Sequence, residues 1–300
     1  MTDFRILGEG FLFPEGPVAF PDGSLVFVEI AGGNVTRLWG DGKSEVIAHL
    51  GGGPNGAALG PDGALYVCNN GGMDWTRGPN GEINPTAKRT DAKETGRIER
   101  VDLGTGSVDR IYDCCDGRKL GSPNDIVFDA EGAFWFTDFG RSAPGTEGES
   151  SIHYALPDGS IIVEAALGSS FNGVGLSPGG GTLYAAETMS TMLWAWPVED
   201  EGRLGEQRLV GTGADGAGFD SLALTDAGNI CVATLYGGAG MTTFTPDGDS
   251  THIALPDMFT TNICFGGTDR RTAFITLAHT GKIIAVDWPE PGLVLHFNPY

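Results

Sequence analysis

One pattern of polar and apolar positions recurs along the whole chain: a polar residue, an apolar alternation, a turn and a second apolar run. Its copies begin at Glu15, Asn55, Asn124, Asn172, Asp220 and Asn262. Eight positions later stand Gly23, Gly63, Gly132, Gly180 and Gly228, with Arg270 in the sixth copy. Because period-two alternation is typical of strands and glycine of tight turns, the pattern predicts the same β-hairpin six times.

The spacing of the copies predicts the fold. Successive starts lie 40, 69, 48, 48 and 42 residues apart, which is the period of a four-stranded propeller blade. We therefore expect an all-β chain that forms a single six-bladed β-propeller domain with a central channel over residues 1–300. The longest interval indicates an insertion at about 71–96. We expect the ring to close by pairing of the Phe4 to Leu7 region with the segment from Leu293 to Phe297, because an open ring leaves exposed edges.

The first residues of the six copies should meet at one mouth of the channel, because the innermost strands of a propeller surround it. All six side chains are carboxylates or carboxamides. A second polar ring is expected where the paired strands end, at Glu29, Asn69, Asp138, Glu187, Thr234 and Thr276. Two carboxylates and four amides at one place are poorly stabilised without a cation. The alternative is that these side chains bond to channel water and backbone groups.

The chemistry of the first ring indicates which ion would bind. Oxygen ligands without histidine or cysteine favour a hard cation such as Ca²⁺, Mg²⁺ or Mn²⁺. Such an ion polarises an ester carbonyl and lowers the pKa of bound water, and both effects serve hydrolysis. The sequence contains no Gly-x-Ser-x-Gly elbow, no phosphate loop and no His-x-x-x-His pair. One divalent metal ion, with calcium favoured, is therefore the predicted cofactor.

The charge of the chain restricts its partners. It contains 39 acidic and 18 basic residues, for a net charge of −21 at pH 7, which repels nucleic-acid phosphates and anionic lipids. No apolar run approaches the roughly 20 residues of a spanning helix, and the first residues lack a signal-peptide pattern. We expect a cytoplasmic protein whose partner is a small molecule, and neither nucleic acid nor a membrane. The oligomeric state stays open.

Two further features lie close to the predicted mouth. The insertion carries Trp75 and Arg77, and also the basic residues Lys88, Arg89 and Lys93. A lid that influences substrate choice and a solvated surface loop are both compatible with this composition. Asp125 follows the ring residue Asn124, and the two-residue period of a strand directs its side chain to the opposite face unless the strand begins irregularly. We interpret Asp125 as a support of the site.

Several segments match a known family in the same order along almost the whole chain. They are Phe13–Pro17, Ser122–Asp125 with Trp135–Asp138, Phe171–Gly173 with Leu176–Pro178, and Phe219–Asp220 with Gly228–Ala233. In these segments the chain resembles the gluconolactonase and senescence-marker-protein (regucalcin) family of six-bladed propeller lactonases. The resemblance implies hydrolysis of sugar lactones and one metal ion held by Glu15, Asn172 and Asp220, with Asn124 as a fourth ligand or a substrate contact. It also implies that Asp220 is the general base for the attacking water.

Two positions depart from the family pattern. Phe219-Asp220-Ser221 stands in place of the usual Pro-Asp-Gly, which keeps the carboxylate and changes its neighbours. Ser122 stands where the regucalcin branch has an arginine, so the sugar specificity does not carry over. Because members of the family bind different metals, the resemblance leaves Ca²⁺, Zn²⁺, Mn²⁺ and Fe²⁺ open.

The leading hypothesis is a carboxylic-ester hydrolase that opens a small lactone, with a metal held by Glu15, Asn124, Asn172 and Asp220. Asn55 and Asn262 are placed in the ring but outside the metal shell. Substrate contacts are expected from Asn55, Asn124, Asp125, Asn262, Trp75 and Arg77. The alternatives are another ester or phosphotriester hydrolase on the same scaffold, and a non-catalytic propeller that binds a metal or another ligand.

Overall fold

The described part of the chain consists of strands and connecting turns. The computed structural model describes residues 3–86, 95–140 and 149–298, together with the backbone of two short strands at 142–143 and 146–147. The main strands form six antiparallel sheets, and the innermost strands of neighbouring sheets contact one another around a channel. The predicted all-β, six-bladed propeller is confirmed. No helix among the described residues is long and apolar enough to cross a bilayer.

Blades 1 and 2 follow a short N-terminal strand, β1 (Arg5–Glu9). Blade 1 contains β2 (Pro14–Ala19), β3 (Leu25–Glu29), β4 (Asn34–Leu38) and β5 (Ser44–His49). Blade 2 and its insertion contain β6 (Pro54–Leu59), β7 (Leu65–Asn69), β8 (Trp75–Arg77), β9 (Ile83–Pro85), β10 (Arg97–Val101) and β11 (Val108–Tyr112). Strands β8 and β9 pair with each other and form the insertion hairpin.

Blades 3 and 4 carry small additions to the four-stranded plan. A ribbon of β12 (Cys114–Cys115) and β13 (Arg118–Lys119) precedes blade 3. Blade 3 contains β14 (Pro123–Phe128), β15 (Phe134–Asp138), the short pair β16 (Ser142–Ala143) and β17 (Thr146–Glu147), β18 (Ser150–Ala155) and β19 (Ile162–Gly168). Blade 4 contains β20 (Phe171–Leu176), β21 (Thr182–Glu187), β22 (Met192–Asp200), β23 (Arg203–Leu204) and β24 (Arg208–Thr212).

The last two blades complete the ring. Blade 5 contains β25 (Ala217–Leu224), β26 (Ile230–Tyr236), β27 (Gly240–Phe244) and β28 (Ser250–Ala254). Blade 6 contains β29 (Thr260–Gly266), β30 (Thr272–Leu277) and β31 (Lys282–Asp287), and its outermost strand is β1. Strand β1 runs antiparallel to β31, with Arg5 opposite Ala285.

The predicted closure partner at 293–297 is therefore wrong, although the N-terminal strand does close the ring. Strands β29 to β31 run outward from the channel in sequence, which leaves the edge of β31 for β1. Pro289 and Pro291 follow β31 and have no backbone N–H to donate to a ladder. The chain instead passes under the channel, where the backbone N–H of Leu293 donates to the carbonyl of Leu224 at 2.8 Å.

The hairpin turns share one backbone conformation in all six blades. The five glycines at the predicted offset have φ angles from 74° to 89°. Arg270, the single exception in sequence, also adopts the left-handed region, with φ of 55°. This conformation costs an L-residue about 1–2 kcal/mol. The Arg270 side chain pairs with Asp226 and donates to the carbonyl of Gly292 at 2.9 Å, so the exceptional turn holds the C-terminal segment.

The apolar core is divided among the boundaries between blades. Six clusters of buried side chains each combine residues from two neighbouring sheets. Between blades 2 and 3, for example, the rings of Tyr66 and Phe128 have centroids 5.2 Å apart. Each blade therefore buries its faces only against its neighbours. The relative positions of the inner strands, and hence of the ring residues, depend on all six boundaries.

His153 is a buried histidine in blade 3. Its ring stacks on Phe136, with centroids 4.8 Å apart, and its Nε2 lies 2.8 Å from the hydroxyl of Ser151. Burial lowers the pKa of His153 from 6.5 to about 4. The unfolded chain therefore takes up a proton at a higher pH than the native protein. The free energy of unfolding should fall as the pH decreases from about 6.5 to about 4 because of this group.

We expect His153→Phe to remove this part of the acid destabilisation, because phenylalanine keeps a stacked ring and does not titrate. The variant should gain on the order of 3 kcal/mol relative to the wild type between pH 7 and pH 4. Urea unfolding of both proteins at several pH values measures the difference. A difference in unfolding free energy that does not change with pH would contradict the assignment.

Candidate metal centre

The six inner strands begin at the same end of the channel, and each contains a β-bulge near this end. The pairing register shifts at the start of all six hairpins. Neighbouring strands approach closely at these bulges. A Cβ atom on Gly16 would lie 2.5 Å from the backbone oxygen of Asn55, and one on Gly56 would lie 2.5 Å from that of Asn124. Glycine is required at these positions, and the close approach brings the ring residues together.

Glu15 is an almost fully buried carboxylate at the start of β2, with 1% of its surface exposed. Its Oε2 accepts a hydrogen bond from Nδ2 of Asn262 at 2.6 Å and another from the backbone N–H of Gly16 at 2.8 Å. Desolvation nevertheless raises the pKa of Glu15 from 4.5 to about 7, because burial outweighs these hydrogen bonds. A negative charge at this position is costly unless a cation compensates it.

Asp220 lies in the bulge of β25 and is also buried. Burial raises the pKa of Asp220 well above its usual value, and the negative charges of Glu15 and Asp125 raise it further. The amide of Asn172 donates a hydrogen bond that opposes this shift. Because the charge of Glu15 raises the pKa of Asp220, the carboxyl groups from blades 1 and 5 interact across the channel.

Asp125 does not point to the opposite face of its strand. The register of β14 shifts between Pro123 and Ile126, so Asn124 and Asp125 both lie in a bulge. The Asp125 carboxylate accepts from the backbone N–H of Ile126 at 2.9 Å and lines the lower part of the channel. Burial, followed by the charge of Glu15, raises the pKa of Asp125 to about 7. The bulge is the irregular strand start under which the two-residue period no longer fixes the direction of this side chain.

Two amide oxygens in this ring are buried and lack a hydrogen-bond donor among the described residues. They are Oδ1 of Asn124 and Oδ1 of Asn172. The other end of the Asn172 amide is occupied, since its Nδ2 donates to the hydroxyl of Thr188 at 3.1 Å. A buried acceptor without a donor is unfavourable and requires an explanation. A hard cation would satisfy both oxygens. The two amide oxygens, together with the carboxyl groups of Glu15 and Asp220, whose pKa values are raised, fit such an ion.

The remaining ring residues, Asn55 and Asn262, are buried at the starts of their strands. Asn262 is satisfied at both ends, because its Oδ1 accepts from the backbone N–H of Ile263 at 2.7 Å while its Nδ2 bonds to Glu15. It therefore positions Glu15. The described residues contain no group of three or more His, Cys, Asp or Glu side chains arranged to hold a metal. A cation in this ring would depend on amide as well as carboxylate oxygens.

The sequence matches a family model over the region that forms the blades. The model, described as the SMP-30/Gluconolactonase/LRE-like region, matches residues 13–279. The chain belongs to this family. The match includes all six ring residues and confirms the resemblance noted in the sequence.

Individual relatives and a solved structure agree with the family assignment. The gluconolactonase of Zymomonas mobilis subsp. mobilis is 26% identical over 308 aligned positions, which cover 93% of this chain and 80% of that protein. The 6-deoxy-6-sulfogluconolactonase of Pseudomonas putida is 32% identical over 128 positions, covering 41% and 44%. A gluconolactonase structure from Xanthomonas campestris superposes with a TM-score of 0.78 at 24% identity and covers 96% of this chain and 90% of that one. That structural likeness shows the shared fold.

In this member of the SMP-30/gluconolactonase family, residues of the second polar ring hold loops at the mouth. Asp138 accepts from the backbone N–H groups of Gly121 at 2.7 Å and Gly140 at 2.9 Å. Glu29 accepts from the backbone N–H of Leu12 at 2.7 Å. These carboxylates satisfy backbone donors of the loops that flank their own hairpins. They therefore hold the loops that border the mouth.

The insertion hairpin packs beside the ring. Trp75 is half-buried, and its ring lies 4.9 Å from that of Phe13, two residues before Glu15. The backbone N–H of Ile83 donates to the carbonyl of His279 at 2.9 Å, which ties the hairpin to blade 6. Arg77 is exposed at the end of β8. The other basic residues of the insertion, Lys88, Arg89 and Lys93, lie outside the described residues, so the lid remains a prediction.

Sequence reasoning missed three aromatic residues near the ring: Phe13, Tyr236 and Phe259. Phe13 was visible in the first matching segment, and Tyr236 directly precedes the pair Gly237-Gly238. The equivalent positions of the other blades carry no aromatic residue, so the hairpin pattern did not reveal Phe13 or Tyr236. The three rings meet only because loops from blades 1, 5 and 6 converge at the mouth.

Proposed function

We propose that the protein is a metal-dependent lactonase that hydrolyses a small lactone to its hydroxy acid at this mouth of the channel. The observation that carries the proposal is the pair of buried oxygens on Asn124 and Asn172, which have no donor among the described residues, in the same ring as the carboxyl groups of Glu15 and Asp220. This all-oxygen set favours Ca²⁺ over ions that prefer nitrogen or sulfur. Family membership and the gluconolactonase relatives support the reaction class.

In this proposal Glu15, Asn124, Asn172 and Asp220 hold the ion. When bound, it supplies Lewis acidity toward the lactone carbonyl and lowers the pKa of water. Asp220 accepts the proton of the attacking water at a carboxylate oxygen. Asn262 holds the Glu15 carboxylate in place through its 2.6 Å hydrogen bond.

The other predicted contacts differ in how well they are placed for substrate. Asn55 lies in the ring, and Trp75 stands at its rim. Arg77 is exposed, and Asp125 lines the channel below the ring. We propose that a substrate approaching from the mouth contacts Asn55, Asn124 and Trp75. Asp125, which lies below the ring, contributes a negative charge that acts on Asp220.

Cation binding should be coupled to proton release. The pKa values of Glu15 and Asp125 lie at about 7 in the ion-free protein, so an ion that needs the charged carboxylates displaces protons there. We expect the affinity for Ca²⁺ to increase as the pH rises from 6 to 8. Calorimetric titration in two buffers of different ionisation enthalpy measures both the affinity and the number of protons released. Affinity independent of pH, with no proton release, would contradict this coupling.

The reaction itself is tested by a pH-release assay on a panel of γ- and δ-lactones. The purified protein is assayed as isolated, after chelation, and after readdition of Ca²⁺, Zn²⁺, Mn²⁺, Mg²⁺ or Fe²⁺ singly. Lactone opening that chelation abolishes and one metal restores is the expected result. Retention of full activity in the chelated protein would refute metal dependence, and absence of turnover with every metal would refute the lactonase.

A further inference from the structure

An aromatic arc borders the candidate metal centre on one side of the mouth. It consists of Trp75, Phe13, Phe259 and Tyr236, whose successive ring centroids lie 4.9, 5.5 and 5.6 Å apart. These residues come from the insertion hairpin, the segment before β2, the segment before β29 and the end of β26. Phe13 and Phe259 are buried, with 6% and 8% of their surface exposed, so the part of the arc that a substrate can reach consists of the half-buried Trp75 and the exposed Tyr236.

Tyr236 is the end of the arc on the side of blades 4 and 5. A Cβ atom on Gly218 would lie 3.1 Å from Cε2 of Tyr236 and 3.3 Å from Cγ2 of Thr188. Thr188 accepts the hydrogen bond from Asn172, so the Tyr236 ring lies close to a residue that holds a proposed ligand. Although it contacts the rest of the arc, Tyr236 is 44% exposed and presents an open face at the mouth.

The backbone holds two members of the arc in a strained conformation. Phe13 has φ of 60° and Tyr236 has φ of 62°, a region that bulky residues rarely adopt. The backbone N–H of Tyr236 donates to the carbonyl of Met258 at 2.8 Å, which fixes this position. Strained residues of this kind concentrate at functional sites, where the surrounding structure holds them in place.

Exposed methionines extend the apolar surface around the mouth. Met73, Met189 and Met258 are 40%, 77% and 42% exposed. They lie on mouth-side segments of blades 2, 4 and 6, beyond β7, beyond β21 and before β29. Methionine is flexible and polarisable, and it is common on surfaces that bind apolar ligands of varied shape.

We propose that this mouth selects lactones with an apolar substituent, an alkyl chain or an aryl group, over polyhydroxylated sugar lactones. The inference rests on the proposed lactonase function and names its substrate class. The polar ring would hold the lactone group, and Tyr236 and Trp75, the accessible members of the arc, would cover the substituent. A sugar lactone instead needs a hydrogen-bond partner for each hydroxyl, and the four arc side chains offer two, the phenolic group of Tyr236 and the indole N–H of Trp75.

The first experiment measures kcat/KM for γ-lactones of increasing chain length, from γ-butyrolactone to γ-decanolactone, beside glucono-δ-lactone. We expect kcat/KM to rise about two- to four-fold per methylene until the arc is covered, since each buried methylene contributes to binding. Glucono-δ-lactone should be the poorer substrate by at least about ten-fold against the best alkyl lactone. A flat series, or a preference for the sugar lactone, would overturn the proposal.

Variants of the arc test which surface produces the dependence on chain length. We use Tyr236→Gly, because glycine adopts the left-handed backbone without strain and should preserve the fold. The loss of kcat/KM should grow with chain length, while Tyr236→Phe should keep the wild-type slope. The matched control is Leu209→Ala on the outer strand β24, where the side chain is 46% exposed and far from the mouth. An unchanged slope in Tyr236→Gly would contradict the role of the arc.

A binding measurement separates this inference from the proposed reaction. 3-Hexylcyclopentanone is γ-decanolactone with a methylene in place of the ring oxygen, so it cannot be hydrolysed. Calorimetry should show at least a ten-fold weaker Kd for Tyr236→Gly than for the wild type. If no lactone is opened but this ketone binds through Tyr236, the lactonase fails and the apolar subsite stands. If lactones are opened but the ketone binds both proteins equally, the reaction stands and the inference fails.

Discussion

Replacing Asp220 with asparagine is expected to lower kcat/KM for lactone opening by about 10²- to 10⁴-fold, the usual contribution of a general base. The substitution keeps the size of the side chain and removes the oxygen that accepts the proton of water. It also removes one of three buried negative groups, since Glu15 and Asp125 both act on Asp220. Steady-state kinetics at pH 7.5 with saturating metal measures the loss.

The same variant should be more stable than the wild type when no metal is present. A buried carboxyl group with a raised pKa destabilises the native state at any pH where the unfolded chain is ionised. Thermal unfolding of the chelated proteins at pH 7.5 should therefore show a higher Tm for Asp220→Asn. Lost activity together with a lower Tm would indicate damage to the fold and contradict the assigned role.

Substitutions elsewhere in the ring should follow a definite order. Glu15→Gln removes a charged ligand and should cost nearly as much activity and metal affinity as Asp220→Asn. Asn262→Ala leaves the Glu15 carboxylate in place without its 2.6 Å hydrogen bond, and Asn55→Ala removes no proposed ligand. We expect losses of about ten-fold or less for these two changes, as for residues that support ligands from outside. Equal losses in all four variants would refute the ligand assignment.

Replacing Arg97 with alanine is expected to destabilise the protein by about 3–5 kcal/mol, because it leaves the carboxylate of Glu99 buried without its charge partner. The Nε of Arg97 lies 2.6 Å from Oε1 of Glu99, and the two side chains are only 4% and 6% exposed. Arg97 also donates to the carbonyl of Leu50 at 3.0 Å, and Asn69 donates to Glu99 at 2.8 Å. The ion pair of blade 2 is therefore linked to Leu50, the residue that follows blade 1.

Arg100 is the matched control on the same strand. Its Nε lies 2.6 Å from Oδ2 of Asp62, as close as in the buried pair, but these side chains are 27% and 38% exposed. Arg100→Ala should cost at most about 1 kcal/mol. Urea unfolding at pH 7 measures both variants. The double variant Arg97→Met with Glu99→Gln should recover much of the loss, because it removes both buried charges. Similar losses for Arg97→Ala and Arg100→Ala would contradict the role of burial.

The six-fold plan and its ring of oxygen side chains were predictable because they depend on local features. Strand alternation and the left-handed turn are properties of about fifteen consecutive residues, and the repeat presents them six times. Even the exception at Arg270 keeps the turn, since position in the hairpin determines its φ angle. The ring followed from the repeat, because equivalent residues of the inner strands must surround one channel.

The sequence by itself therefore determined the blades, the family and the polar character of the ring. Only the tertiary structure decided that bulges turn Asp125 into the channel and that β1 pairs with β31. It also decided that the oxygens of Asn124 and Asn172 meet no donor in the described part of the chain. The aromatic arc and the buried pair of Arg97 and Glu99 were also revealed only by the tertiary structure. The physical reason is that these features arise where segments far apart in the chain, or a local break in the strand period, bring groups together. No repeating pattern within one hairpin encodes such contacts.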